Sequence, residues 1–357
     1  MMLGLFQYSA ANAAVQAGLG RLLESGAWNR LLAGKDLEDM ISILSGTAYR
    51  DAVVEAPDDI EAVERRLRCS LADRIRLPMP FLRGAARRLV DRLWRRIEID
   101  NLIIILRAHH RREPVHRVDE SLLDLGPASR LDWDELRNAQ SVAGVIERVG
   151  NASAGLEYRR SLQNAFHEYR RRSAVYLLEI SLYITYYRKL CQSLRRLWGR
   201  DGQAARRLVG TMIDFRNLLW AYRYRIFFNM APETILSYTV PEGGCVNVRV
   251  IQRVATGAPP LEIVRELWGD TLPGIERIED IPVRDAVVEL EIIFRRYLYR
   301  EAREMLTGYP LHLGTALAYI VLLEAEVDDL IALMEGRING WSVNRIRSSL
   351  IGDRGRQ

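Results

Sequence analysis

Three ten-residue strings decide the fold: EIDNLIIILR at residues 98–107, DFRNLLWAYR at 214–223 and EVDDLIALME at 326–335. In each, an acid (Glu98, Asp214, Glu326) stands three residues before an Asn or Asp (Asn101, Asn217, Asp329). A leucine follows at once (Leu102, Leu218, Leu330), and a charged residue (Arg107, Arg223, Glu335) comes six after the Asn or Asp. The Asn or Asp positions are 116 and 112 residues apart (217 − 101 and 329 − 217). Residues three apart share one face of a helix. A polar pair on a mostly apolar helix fixes rotation and register at some cost in stability. Recurrence at nearly fixed spacing marks a repeated supersecondary unit.

The flanking sequence is helical in pattern. Residues 36–44 place Leu37, Met40, Ile41 and Leu44 on one stripe, the i, i+3, i+4, i+7 spacing of a buried helix face. Residues 85–106, 175–197, 206–228, 283–305 and 311–334 are long and free of internal Pro. The best strand candidate, Cys245 to Ile251, is isolated and reads as a loop or the start of a helix. The expected class is therefore all-α. Pro and Gly cluster at Gly126-Pro127, at Pro241 with Gly243-Gly244, at Gly257 with Pro259-Pro260, and from Asp270 to Gly274. Such pairs end helices by removing an amide donor and permitting positive φ. They divide the chain into three comparable helical repeats, residues 1–120, 121–238 and 239–357.

Composition excludes several classes. An apolar fraction of 48% with 27% charged residues is globular rather than disordered. Cys69, Cys191 and Cys245 are far apart with no CxxC, which argues against a disulfide framework or a zinc site. No stretch reaches the ~20 apolar residues of a membrane span, and residues 311–323 read as a buried helix. No base precedes Arg21, so the N-terminus lacks the charged region of a signal peptide.

Charge is unevenly spread. The net charge is +5, and every base except Lys35 and Lys189 is Arg. Between Arg159 and Arg225 the only acids are Glu168, Glu179, Asp201 and Asp214, whereas acids dominate from Asp270 to Glu335. Such asymmetry serves opposed partner surfaces, or the two stretches pair with each other.

Enzyme signatures are missing. Gly34-Lys35 lacks the phosphate-loop spacing, Gly18 and Gly20 have no third glycine at position 23, and His167-Glu168 does not continue into HExxH. His109 and His110 are adjacent, so they point about 100° apart on a helix and read as a solvated helix end. No catalytic, cofactor-binding or metal-binding residue is expected. The aromatic run from Trp220 to Phe228, interleaved with Arg, admits a nucleic-acid reading. Its spacing instead puts Trp220, Tyr224 and Phe227 or Phe228 on one core stripe, with Tyr222 flanking.

The chain also resembles a known family along nearly its whole length. Tyr8, Asn12-Ala13, Val15 and Ala17 are similar to the opening pattern of the C subunit of V- and A-type ATP synthases (d in eukaryotes), with Ala14 and Gln16 where two arginines are common. Leu44, Thr47 and Tyr49 resemble its L-x-x-T-x-Y turn. Asn101-Leu102 through Leu106-Arg107 resembles its N-L-x-I-L-R helix, with Ile103 where a lysine is common. Glu179 to Tyr187, Asp214, Asn217, Leu218, Arg223, Pro241 and Gly243-Gly244 match the second repeat, and Glu324, Glu326, Leu330 and Gly336 the third.

The resemblance implies three helical domains in a pseudo-threefold funnel. It implies a non-catalytic central-stalk component that couples the rotating shaft to the membrane proteolipid ring, without a cofactor. It further implies a place on the cytoplasmic face of the membrane, held there through the complex, and a monomer when isolated. The Arg-rich second part would then face acidic shaft residues or anionic headgroups. The alternative is an Arg-rich helical nucleic-acid-binding protein, whose binding would weaken steeply with salt.

Overall fold

The computed structural model describes residues 2–54, 59–240 and 243–352. Every regular element among them is a helix, and no strand forms. The break expected at Pro241 lies outside the described residues.

In chain order the helices are α1 (Met2–Leu19), α2 (Ser25–Ala33), α3 (Leu37–Ser45), α4 (Arg50–Val54) and α5 (Ile60–Ile75). Next come α6 (Gly84–Arg111), α7 (Val115–Ser121), α8 (Trp133–Arg137), α9 (Val142–Asn151) and α10 (Leu156–Arg172). Then follow α11 (Tyr176–Leu194), α12 (Gly199–Ala205), a π turn (Arg206–Gly210) and α13 (Thr211–Ile226), the last three continuous. The series ends with α14 (Pro232–Ser237), α15 (Val248–Thr256), α16 (Pro260–Trp268), α17 (Val283–Leu306), α18 (Leu313–Ile338) and α19 (Val343–Ser349).

Local chemistry sets the ends of these helices. Asp36, Asp59, Asp132, Ser141 and Asn247 each accept an N–H of the first turn that would otherwise lack a partner. Gly84 and Gly199, both with φ near +57°, open the long α6 and the continuous α12–α13 helix. The segment read as loop or helix start from Cys245 resolves as an Asn247 cap followed by α15.

Compactness divides the chain into two units, residues 1–90 with 191–357, and residues 91–190. In the larger unit α18 is the central element. Its residues are buried on nearly every side, and it packs on α1, α5, α12 and α17. This is the behaviour of a helix that is apolar all round, as expected for residues 311–334. Between α13 and α17, Phe215 and Phe294 stack with centroids 3.9 Å apart, and Trp268 leans on Phe215 at 4.9 Å. In the smaller unit α9 packs on α10, with Val145, Val149, Tyr158 and Leu162 buried.

Two sequence expectations change. The buried face of α13 carries Phe215, Leu218, Leu219, Tyr222 and Tyr224, while Trp220 is half-buried and Phe227 and Phe228 are exposed. Phe227 is the C-cap, still bonded to the Arg223 carbonyl, and both phenylalanines sit at the helix end, where their side chains are left uncovered. Tyr222 is fully buried because α13 is covered on more than one side, by α14, α15 and α17. His109 and His110 are half-buried rather than solvated. His109 Nε2 lies 3.3 Å from the Leu136 carbonyl, and His110 Nδ1 lies 3.0 Å from the Tyr169 hydroxyl.

Candidate functional site

In each of the three strings the acid and the Asn or Asp are buried, and each string fixes a distant piece of backbone. Asn101 donates to the Leu123 carbonyl at 2.8 Å and accepts from the Leu123 N–H at 3.0 Å. Asn217 does the same to Val240, donating at 2.6 Å and accepting at 2.7 Å. Asp329 has no donor to offer. It accepts from two successive N–H groups, Ile351 at 2.6 Å and Gly352 at 2.9 Å. The clamped residues stand 22, 23 and 22 positions beyond their clamps. An amide suits a backbone group that presents both polarities, and a carboxylate suits two donors.

The acids three residues earlier hold a second point. Glu98 accepts from Ser129 Oγ at 2.7 Å and the Arg130 N–H at 3.2 Å. Asp214 accepts from the N–H groups of Gly244, Cys245 and Val246 at 3.0, 2.8 and 3.2 Å, and from Cys245 Sγ at 3.3 Å. Burial pushes the Asp214 carboxyl up from its ordinary range, against those donors, which favour the charged form. Cys245 is exposed as a residue, but its thiol, partly desolvated where it meets the Asp214 carboxylate, is pushed up to about 12 and stays protonated.

Gly243 is required at this point. A Cβ there would lie 2.6 Å from the Gly210 carbonyl and 2.6 Å from the Asp214 carboxylate. The two-glycine signal thus reports a close backbone approach to the π turn.

Glu326, fully buried, departs from this local scheme. It accepts from the Leu23 N–H at 2.9 Å and from the Tyr49 hydroxyl at 2.8 Å, both from the first fifty residues. The Arg74 guanidinium lies over the Tyr49 ring, 5.1 Å from its centroid. Burial, then the neighbouring Glu326, holds the Tyr49 phenol well above its ordinary pKa. Tyr8 adds another tie from the N-terminal segment, donating to Asp201, whose other oxygen accepts from the Leu313 N–H at 2.9 Å.

The charged residue six positions on has a defined role in two of the strings. Arg107 forks onto Glu179 of α11 at 2.7 and 2.6 Å. Arg223 reaches Glu291 of α17 at 2.6 Å. Arg207 pairs with Glu301 and Glu304. The Arg-rich and acidic stretches therefore pair with each other in part. Arg195, Arg196, Arg200 and Arg206 remain exposed.

These polar groups are engaged in holding backbone and helices. Among the described residues, no group of three or more His, Cys, Asp or Glu side chains is placed to hold a metal ion. No helix there is long and apolar enough to cross a membrane. The motif located the buried acids correctly. It carried no sign of their partners, because a backbone N–H has no sequence signature.

The chain is similar to known proteins along most of its length. The model of the ATP synthase (C/AC39) subunit family matches residues 11–349. The A-type ATP synthase C subunit of Methanocaldococcus jannaschii is 23% identical, over 98% of this chain and 88% of that protein. The protein of the same name from Pyrococcus abyssi is 24% identical over 95% of this chain and 89% of its own length. That from Haloquadratum walsbyi is 25% identical over 90% and 88%.

Proposed function

The chain belongs to the ATP synthase (C/AC39) subunit family, and we propose that it is the non-catalytic central-stalk component of a rotary ATP synthase, coupling the rotating shaft to the membrane proteolipid ring. The observation that carries this reading is the family match over residues 11–349, with A-type ATP synthase C subunits aligned over almost the whole chain. A coupling piece must resist twisting. Long helices whose connecting loops are clamped by buried carboxylates and amides suit that task, because a fully satisfied buried polar network rigidifies what it joins.

The recurrence of this clamp at Asn101, Asn217 and Asp329, each holding backbone 22 or 23 residues on, supports three repeats over residues 1–120, 121–238 and 239–357, the first two clamps gripping the opening of the repeat that follows. In this reading they form a pseudo-threefold funnel around the shaft end, on the cytoplasmic face of the membrane. Removing the chain from the assembled enzyme tests the coupling role. ATP hydrolysis by the catalytic head should persist while ATP-driven ion pumping is lost. Pumping that continues undiminished without the chain contradicts the proposal.

A further inference from the structure

Two interhelical turns of the larger unit meet at one exposed edge. The first, Arg195–Trp198, joins α11 to α12; the second, Thr307–His312, joins α17 to α18. The Arg200 guanidinium lies over the Tyr309 ring, 4.7 Å from its centroid, and the Asp201 carboxylate accepts the Leu313 N–H at 2.9 Å. These contacts hold the two turns side by side.

The first turn is rigid and built to present one residue. Arg195, Arg196 and Leu197 continue the hydrogen bonding of α11 at 3.1, 3.3 and 3.1 Å, and Leu197 is buried. Gly199 has a positive φ, and a Cβ on Gly202 would lie 2.6 Å from the Leu197 carbonyl, so the turn folds tightly beneath its tip. The tip is Trp198, whose exposure of 83% is the largest among the exposed apolar residues described. Tyr309, 47% exposed, lies under the Arg200 guanidinium on the second turn.

An isolated exposed apolar residue needs no explanation. Here the surrounding charge points to a partner. Arg195, Arg196 and Arg200 are exposed around Trp198, against a single acid, Asp201, in the same stretch of chain. The corresponding turn ahead of α6 exposes Phe81 beside Arg83. Projecting Trp and Tyr rings with arginines among them match the water–bilayer boundary. There an amphipathic ring sits at headgroup depth, and cationic side chains meet anionic lipid.

We propose that the Trp198 and Tyr309 turns form a headgroup-binding edge that seats on an anionic phospholipid surface. This rests on the stalk reading, which brings the chain close to the membrane; the edge would then brace it against the bilayer surface.

The test is co-sedimentation of the full-length chain with vesicles of mixed phosphatidylglycerol and phosphatidylcholine, at near-physiological salt. Pure phosphatidylcholine vesicles are the comparison. The wild type should bind the anionic vesicles and not the neutral ones. Trp198→Ser should weaken binding about tenfold. The double variant Arg195→Glu, Arg196→Glu should weaken it by about a hundredfold or more. Because these side chains are exposed, the variants should melt like the wild type. Wild-type chain that ignores anionic vesicles, or variants that bind as well as it does, overturn the proposal. If the wild type ignores vesicles but Trp198→Ser releases neighbouring proteins from the native complex, the edge meets protein and the lipid assignment falls. The stalk reading fails separately, if the wild type co-purifies with no other ATP synthase component.

Discussion

Asp214 and Glu326 occupy the same place in two copies of one motif, yet they tie together different parts of the chain. Asp214 gathers three consecutive N–H groups from residues 244–246, thirty or so positions ahead. Glu326 gathers its donors from Leu23 and Tyr49, across 303 and 277 residues of chain. The first acid ties its helix to a loop about thirty residues on, at the opening of the next repeat. The second anchors the opening helices to the central helix α18. The motif specifies a buried acceptor at a given place on a helix, and the chain path decides which donors reach it.

The largest effect should follow loss of the long-range tie. Glu326→Ala leaves a buried N–H and a buried hydroxyl without their acceptor and opens a cavity. It should cost about 3–5 kcal/mol in urea unfolding. Asp214→Ala should cost less, about 2–3 kcal/mol, because Gly244 and Cys245 are exposed enough for water to replace the carboxylate. Hydrogen exchange separates the two changes. Glu326→Ala should deprotect residues 23–49, and Asp214→Ala only residues 243–247. Equal deprotection of both segments by either variant would erase the distinction.

A reciprocal exchange sharpens the comparison further. Asn217→Asp removes the donor to the Val240 carbonyl and sets a carboxylate against it. Asp329→Asn turns an amide NH2 toward the donors Ile351 and Gly352. Each should lose about 1–3 kcal/mol although the substitutions are nearly isosteric. If either is neutral by thermal melting, the choice between Asn and Asp is not set by backbone polarity.

The smallest effect concerns pH. His312 Nδ1 caps α18 by accepting the Gly314 N–H at 2.9 Å, which needs the unprotonated ring nitrogen. Burial first, with Arg200 adding to it, lowers its pKa below the ordinary 6.5. The unfolded chain therefore binds this proton more readily, and stability falls as pH drops from about 6.5 through the folded value. His312→Ser keeps a capping oxygen without titrating. The melting temperature of the variant relative to wild type should rise as pH falls from 7.5 to 5 (roughly the range spanning an ordinary histidine). A constant difference across that range would remove His312 from the pH response.

Much of the fold was legible in sequence because it rests on period and punctuation. The stripe from Leu37 to Leu44, the long Pro-free segments and the buried helix at 311–334 all appear where expected. So do the acids of the three strings. What failed depended on partners far along the chain or on helix ends. Phe227 and Phe228 lie on the helical stripe, but at the end of α13, where their side chains are left exposed. His109 and His110 are covered by groups 27 and 59 residues away, which no local pattern announces. The uneven charge was visible, but its two readings divide residue by residue. Arg207 and Arg223 reach acids of α17, whereas Arg195 and Arg196 lie on the exposed edge at Trp198.

The central claim is that this chain couples the shaft to the ring of a rotary ATP synthase. Its most direct test is a pull-down of tagged chain from membranes of its own source, with mass spectrometry of what co-purifies. The account predicts recovery of the shaft proteins together with the ring proteolipid. Recovery of nucleic acid or unrelated proteins, with neither shaft nor ring present, would contradict it.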